Sequence, residues 1–390
     1  MLLELPAVAG VAAALVAAML IAFITTPVVK SLAEKVGAVD VPKDGRRMHD
    51  HPIPRMGGLA IFLGFLLSTL VFVPLSQSVR GMLLGAILIV ILGIFDDIYA
   101  LPALPKLLVQ IAAALIAVFH GNVIQVISNP NVLSDNPYWS LGAWSIPVSV
   151  VWIVAITNAV NLIDGLDGLA VGVATISSLT MLVIAMLVSE NMVALTTAAL
   201  AGGCIGFMPY NQNPAKIFMG DTGSTFLGFV LATVSIQGLF KFYTIISFAV
   251  PFLMLGLPLF DTCFAILRRL AKGQNPMSPD RSHVHHRLID MGFNQKQAVG
   301  ILYVVSAILG LSAVVLTTSG ALKAMVLLCA LCLAGFIAYR VSVSHNGGEH
   351  SEKKEETDHA PESHDDLRDP AGGGEDGPFG EGTDRQASDR

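Results

Sequence analysis

The chain contains 390 residues, of which 54% are hydrophobic and only 13% are charged. Together with a mean hydropathy of +0.68, this composition excludes an ordinary soluble domain. The formal net charge of -6 arises from an acidic C-terminal segment, whereas Lys and Arg upstream are confined to a few loops, and no nucleic-acid partner is expected. The sequence therefore predicts an all-α, polytopic membrane protein.

Apolar runs that are long enough to cross a bilayer recur along the chain, and they predict about eleven transmembrane helices. The spans are expected at 7–27, 57–75, 81–95, 107–120, 146–160, 169–188, 192–208, 223–239, 245–266, 298–317 and 321–339. The third, fourth and fifth spans have only about 15 residues, less than the roughly 20 that a bilayer needs. Their cytoplasmic ends are therefore expected to lie a little below the membrane surface.

The basic residues give the predicted orientation. Loops after odd-numbered spans hold roughly fourteen Lys and Arg, whereas those after even-numbered spans hold only Arg80, Lys241 and Lys323. The positive-inside rule then puts the N-terminus outside and the C-terminus in the cytoplasm. Residues 1–340 are expected to form the integral membrane domain, and the polar segment 341–390 a disordered acidic cytoplasmic tail.

Two acidic motifs lie at the predicted cytoplasmic ends of spans. Asp96 and Asp97 end the third span, and Lys106 follows them. Adjacent carboxylates repel each other unless a cation or a proton holds them, although a solvated helix end would also fit this pair. In the second motif glycines flank Asp221 at the entrance to the eighth span, where backbone N–H groups suit phosphate oxygens.

Four amide and carboxylate side chains lie at three-residue intervals around the end of the fifth span: Asn158, Asn161, Asp164 and Asp167. Each such side chain costs roughly 2 to 3 kcal/mol at the centre of a spanning helix, so this group is expected to line a polar pocket. Hard cations bind oxygen ligands, and the stretch therefore indicates a metal site. The alternative is a polar helix terminus that is capped by Asn and Asp.

A histidine-rich motif lies in the long basic loop before the tenth span. It contains Arg281, His283, His285 and His286. Imidazole and guanidinium groups in a cytoplasmic loop would attract a nucleotide diphosphate. A zinc site and a loop that binds anionic lipid headgroups are the alternatives.

Together these motifs resemble those of the polyprenyl-phosphate N-acetylhexosamine-1-phosphate transferases, glycosyltransferase family 4. The resemblance rests on DDIYALPALPK at 96–106, NAVNLIDGLDGL at 158–169, FMGDTGS at 218–224, HVHHRL at 283–288 and the loop at 40–58. Histidines spaced as HxHH and followed by Leu are similar to the WecA/TagO branch, which uses UDP-N-acetylglucosamine (UDP-GlcNAc). Three consecutive histidines are typical of the branch that uses UDP-N-acetylmuramoyl-pentapeptide.

The resemblance implies transfer of a sugar 1-phosphate from a UDP-sugar to undecaprenyl phosphate in the bacterial plasma membrane, with the active site on the cytoplasmic face. It implies Mg²⁺, with Mn²⁺ as an alternative, held by Asp221, Asp167 and Asn161. The catalytic residues carried over are Asp96, Asp97, Asp164 and Lys106. The substrate-binding residues are His283, His285, His286, Arg281, Asn158, Lys43, Arg55 and Phe218. A homodimer remains open.

Several of these roles have alternatives. Lys43, Arg55 and Lys106 are candidates for neutralising phosphate charge, but the positive-inside rule alone would explain them. Phe218 is a candidate for stacking on uracil, and buried packing is the alternative. A phosphate monoester has a second pKa of about 6, so the lipid nucleophile is already ionised. Asp96 and Asp97 are therefore expected to order the metal and the lipid phosphate, while a phospho-aspartate route stays open.

Two other classes of protein are compatible with parts of the pattern. Ion-coupled transporters also place carboxylates on broken helices, but their sites lie near the membrane midplane, whereas these motifs are all predicted on one face. A non-catalytic scaffold would need no such polar motifs. A transferase that acts on UDP-N-acetylmuramoyl-pentapeptide is the alternative within the family.

Overall fold

The computed structural model describes residues 5–41, 51–128, 138–238, 249–273 and 283–319. Within these ranges the chain is almost entirely helical, in agreement with the predicted class. The α-helices are α1 (Leu5–Val36), α2 (Gly58–Phe72), α3 (Gln77–Tyr99), α4 (Ala103–Phe119), α5 (Ser145–Leu162), α6 (Leu169–Leu187), α7 (Asn191–Asn211), α8 (Gly220–Gly238), α9 (Ala249–Met254), α10 (Gly256–Ala271), α11 (Val284–Asp290) and α12 (Gln295–Ser319).

Two short antiparallel hairpins accompany the helices in the described part of the chain. One pairs β1 (Val39–Asp40) with β2 (Ile53–Pro54), and the other pairs β3 (Val126–Ser128) with β4 (Tyr138–Ser140). A 3₁₀ turn at Gly142–Trp144 leads directly into α5.

Six of the described helices are long and apolar enough to cross a membrane, and α2 and α4 are shorter apolar helices. These helices support a polytopic membrane protein. The predicted total of eleven spans and the orientation of the termini stay predictions. The eleventh span and the acidic tail lie outside the described residues.

Some predicted boundaries are wrong. The expectation of short third and fifth spans fails because α3 has 23 residues and α5 has 18. α3 begins earlier than its apolar run, where the Ser76 hydroxyl accepts a hydrogen bond from the Val79 N–H, and it continues past the carboxylate pair to Tyr99. The ninth span is also not one helix, since its described part forms α9 and α10, separated at Leu255.

The centre of the bundle is α8, in which every residue except Asp221 is buried. Glycines allow α3 and α5 to pack directly on its backbone. A methyl group at Gly93 of α3 would lie 2.4 Å from the Thr222 Cα, and one at Gly228 of α8 would lie 2.7 Å from the Thr157 Cα of α5. Close approach at small residues is the usual way in which helices pack in membranes.

The segment before α8 is tied to the start of α2. The Phe218 N–H donates to the Pro54 carbonyl at 2.8 Å, and the Gly57 and Gly58 N–H groups donate to the Phe218 and Met219 carbonyls, each at 2.9 Å. These bonds fix where α8 begins. The one partly exposed residue of α8, Asp221, lies at that end.

Substitution of Gly58 tests how closely the start of α2 packs on α8. A methyl group there would lie 2.0 Å from the Gly223 Cα, so Gly58→Ala should lower the free energy of unfolding by about 1 to 3 kcal/mol. Gly300 in α12 has no atom within 4 Å of an added methyl group, and Gly300→Ala should match or exceed the native stability because Ala favours helix. Thermal unfolding of both variants in detergent would check this, and equal melting temperatures would contradict it.

Candidate functional site

The Asp221 carboxylate lies where three elements meet. Its Oδ1 accepts a hydrogen bond from Asn161 Nδ2 of α5, and the same nitrogen lies 2.8 Å from Ser224 Oγ. Its Oδ2 is 3.9 Å from Lys106 Nζ of α4, and the side chain is 28% exposed. This carboxylate is therefore held in place by its neighbours and remains partly open.

The adjacent pair Asp96 and Asp97 diverges, since consecutive helical residues differ by about 100°. The Asp96 carboxylate accepts hydrogen bonds from Lys106 Nζ and from the Leu101 N–H, both at 2.8 Å. The Asp97 carboxylate accepts the N–H groups of Asp221 and Thr222 at 2.9 and 3.0 Å, and the Thr222 hydroxyl at 2.6 Å. Each carboxylate thus has its own partners, which removes much of the repulsion that the sequence implied.

Arg55 brings a positive charge to this cluster. Its Nε lies 4.0 Å from Asp97 Oδ1, and its side chain is 37% exposed. The backbone N–H of Arg55 donates to the Ala38 carbonyl at 2.8 Å, which holds the residue beside the β1–β2 hairpin. Lys43, the other candidate from this loop, lies outside the described residues.

The loop between α5 and α6 carries Asp164 and Asp167. Burial, followed by the charges of Asp221 and Asp97, raises the pKa of Asp164 from 3.8 to about 8. Asp167 Oδ2 accepts Asn213 Nδ2 and the Ala215 N–H, both at 3.0 Å. Asp167 therefore anchors the segment before α8, whereas Asp164 belongs electrostatically to the carboxylate cluster.

Asn158 lies about one turn before Asn161 on α5, and its side chain makes different contacts. Its Nδ2 donates to Gln110 Oε1 of α4 at 2.7 Å and to the Val154 carbonyl at 2.8 Å. Gln110 is only 4% exposed. The structure thus places this amide in the α4–α5 interface, while Asn161, Asp164 and Asp167 face the cluster or its supporting loop.

The histidine motif is docked onto the acidic loop. A methyl group at Gly165 would lie 2.3 Å from His285 Nε2, so the imidazole packs on the backbone of that glycine. The rings of His283 and His285 stack at 5.8 Å, and those of His285 and His286 are 4.3 Å apart. Burial, followed by the charge of His286, lowers the pKa of His285 from 6.5 to about 4.

An aspartate that the sequence analysis missed orients this motif. Asp261 of α10 accepts His283 Nδ1 on Oδ2 and the Val284 N–H on Oδ1, both at 2.8 Å. Asp261 is 5% exposed. A carboxylate inside an otherwise apolar predicted span was the available signal. Arg281 lies outside the described residues.

Phe218 pairs through its backbone with the loop before α2, and its side chain is partly exposed. Besides Asp261, sequence reasoning missed Thr222, Gln110, Ser224 and Asn213, which contact the predicted residues. Thr222 and Ser224 gave little signal, because Ser and Thr in apolar helices commonly bond their own helix backbone.

A divalent cation is compatible with the donors of this cluster. No group of three or more His, Cys, Asp or Glu close enough for a metal occurs among the described residues. Mg²⁺ needs fewer protein ligands, because it usually keeps several waters and binds one or two carboxylates plus substrate phosphates. Asp221 and Asp164 supply hard oxygens of the required kind, and the charges of Asp221 and Asp97 act on Asp164 in addition to its burial.

Comparison with known proteins supports an enzymatic site. The model of a family described as glycosyl transferase family 4 matches residues 79–239. The chain is 41% identical over 307 residues to a probable undecaprenyl-phosphate N-acetylglucosaminyl 1-phosphate transferase from Bacillus subtilis (strain 168), covering 78% of this chain and 85% of that protein.

More distant relatives carry related names. A decaprenyl-phosphate N-acetylglucosaminephosphotransferase from Mycolicibacterium smegmatis is 34% identical, over 73% of this chain and 77% of that protein. An undecaprenyl-phosphate alpha-N-acetylglucosaminyl 1-phosphate transferase from Thermotoga maritima is 33% identical, over 68% of this chain and 78% of that protein.

The lowered pKa of His285 predicts a pH-dependent stability. The folded protein disfavours the imidazolium, so stability is complete above the unfolded pKa of 6.5 and is lost as pH falls toward the folded value of about 4. Between pH 7.5 and 5 this loss should be about 2 kcal/mol. His285→Gln should remove that part of the decline, measured as the melting temperature at both pH values.

The exposed His51 offers a matched control. His51→Gln should retain the full native decline in melting temperature between the two pH values. An unchanged decline in His285→Gln would contradict the assignment to His285.

Proposed function

The chain belongs to glycosyl transferase family 4, and from this premise we propose that it transfers GlcNAc 1-phosphate from UDP-GlcNAc to undecaprenyl phosphate and releases UMP. The product would start a lipid-linked glycan of the bacterial cell envelope. The observation that carries the proposal is the position of Lys106 Nζ, which lies 2.8 Å from Asp96 and 3.9 Å from Asp221 and so joins two motifs from distant parts of the chain.

The proposed reaction is a direct phosphoryl transfer. A phosphate oxygen of the lipid attacks the β-phosphorus of UDP-GlcNAc, the bond from that phosphorus to the bridging oxygen breaks, and the oxygen leaves with UMP. The lipid phosphate has a second pKa of about 6, so it needs little help to lose its proton. The protein contributes mainly by positioning the reactants and neutralising their charge.

We assign the Mg²⁺ site, with Mn²⁺ as an alternative, to the Asp221 and Asp164 carboxylates. The ion supplies positive charge to the diphosphate oxygens when it is bound. Asn161 holds Asp221 through its amide, and Asp167 holds the neighbouring segment through Asn213 and Ala215. In this assignment Asn161 and Asp167, both expected as ligands, support the site.

Two cations of the cluster are suited to phosphate oxygens. The Lys106 side chain is 31% exposed and the Arg55 side chain 37% exposed, so both reach the open side of the cluster. We assign the lipid phosphate to Lys106 because its ammonium group is partly exposed where the Asp96 and Asp221 motifs meet. Arg55 then stabilises the diphosphate of the donor.

The histidines are assigned to the donor nucleotide. His285 stays neutral at pH 7 because its pKa is about 4, so it can both donate and accept hydrogen bonds. His283 is oriented by Asp261, which binds its Nδ1. The neutral ring of His285, which lies over Gly165, is suited to a uridine or its phosphate. The active site would then face the cytoplasm, where UDP-sugars are made.

The experiment is UMP release by the purified protein in nanodiscs with undecaprenyl phosphate, UDP-GlcNAc and Mg²⁺. Asp221→Asn should lower kcat by about 10² to 10³, whereas Glu34→Gln, at an exposed carboxylate of α1, should leave it unchanged. UDP-N-acetylmuramoyl-pentapeptide should not replace UDP-GlcNAc. Turnover with the pentapeptide donor alone, or none with either donor, would refute the proposal.

Direct attack makes a separate prediction. Without undecaprenyl phosphate, rapid-quench experiments with UDP-GlcNAc that is labelled in its β-phosphate should show no UMP release and no label on the protein. Release of one UMP per protein with label retained would instead indicate a phospho-aspartate.

A further inference from the structure

The two carboxylates of the Asp96–Asp97 pair make different kinds of contact. Asp96 binds a lysine side chain that reaches the open part of the cluster. Among the residues that the structure describes, Asp97 makes its hydrogen bonds to the first turn of α8, with Arg55 as a more distant charge. Its side chain is 0% exposed, so neither of its oxygens faces a space that a substrate phosphate could enter.

The first turn of α8 needs a hydrogen-bond acceptor from outside the helix. The first N–H groups of a helix have no acceptor inside the helix, and a Ser, Thr, Asp or Asn at the preceding position usually accepts those of the second and third residues. Here the preceding residue is Met219, whose side chain cannot do this. Asp97 accepts the N–H groups of Asp221 and Thr222, the second and third residues of α8.

The backbones of α3 and α8 approach each other closely around the Asp97 carboxylate. A methyl group at Gly220 would lie 2.5 Å from Asp97 Oδ2, and the Gly220 φ of +71° is one that other residues rarely adopt. A methyl group at Gly93, one turn earlier on α3, would meet the Thr222 backbone at 2.4 Å. Both glycines thus allow the Asp97 carboxylate to reach the α8 backbone.

We infer that Asp97 is a positioning residue that caps α8 from α3 and thereby aims the Asp221 carboxylate at the reaction centre. The inference rests on the proposed function for the role of Asp221. Asp97 fixes the backbone of Asp221, while Asn161 fixes its side chain. Asp96 and Asp97 therefore have different roles. Asp96 acts with Lys106 at the open side of the cluster, and Asp97 acts through α8.

Hydrogen exchange of the full chain in nanodiscs, without substrates, tests the cap independently of activity. Asp97→Asn should speed exchange of the amides in peptides that cover 220–224 by at least about tenfold, because both Asp97 oxygens accept an α8 N–H and the amide replaces one of them with a donor. Asp96→Asn should leave those amides protected. Native protection in Asp97→Asn would overturn the inference.

A second-site substitution distinguishes a positioning role of Asp97 from direct contact with the reactants. Met219→Ser puts a capping hydroxyl at the position before α8, so Asp97→Asn combined with Met219→Ser should regain both amide protection and most of the lost kcat. Met219→Ser alone controls for the loss of the buried methionine. Protection that returns without turnover would overturn the inference, since a cap cannot replace a group that touches the reactants.

A milder pair of variants covers the case in which Asp97→Asn does not fold. Thr222→Val removes the hydroxyl that donates to Asp97 Oδ2 at 2.6 Å, whereas Thr222→Ser keeps it. Thr222→Val should exchange faster at 220–224 and turn over more slowly than Thr222→Ser. Equal exchange and equal turnover in the two variants would overturn the inference. If the exchange results hold while no transfer occurs with any donor, only the proposed function fails.

Discussion

A helix that begins inside an apolar bundle must find acceptors for its first N–H groups, and this requirement shapes the centre of the protein. α8 is buried along its whole length except at the Asp221 side chain, and the Asp221 and Thr222 N–H groups are bonded to Asp97. Unpaired buried donors each cost about 1 to 3 kcal/mol. The Asp97 carboxylate meets the requirement from α3, and its charge also suits the positive end of the helix dipole.

The contact between Asp97 and α8 gathers several carboxylates in one place. The separate partners of each carboxylate limit the electrostatic repulsion between them. Asp96 is paired with Lys106, and Asp97 is satisfied by the α8 backbone. Asp167 binds an asparagine and a backbone N–H. The Asp221 carboxylate stays partly exposed, and burial, followed by the charges of Asp221 and Asp97, raises the pKa of Asp164 to about 8. A site that gathers carboxylate oxygens beside the partly exposed Lys106 and Arg55 is suited to phosphate chemistry with a divalent ion.

The histidine motif extends the site by packing. Gly165 interrupts the acidic loop, and the His285 ring occupies the space that a side chain would fill. Asp261 fixes the start of α11 and the ring of His283 together. The acidic loop and the histidines therefore form one surface, although more than 100 residues separate them in the sequence.

The sequence by itself determined the class of fold and marked most of the polar residues that the structure gathers into one cluster. Apolar runs marked α6 at 169–188 and α7 at 192–208 to within a few residues, because burial in lipid requires an apolar helix of a given length. Costly polar residues in such runs marked Asp96, Asp97, Asn161, Asp164 and Asp221, because nothing but a site or a polar contact would retain them.

Only the tertiary structure decided which partner each group has. The bond from Asp97 to the α8 backbone joins residues 124 positions apart, and no local pattern encodes a cap that comes from another helix. Likewise Asn158 and Asn161 have the same local signal, yet one faces Gln110 and the other Asp221. A step of three residues turns a helix by about 300°, and the neighbours that meet each face are set by packing of the whole bundle.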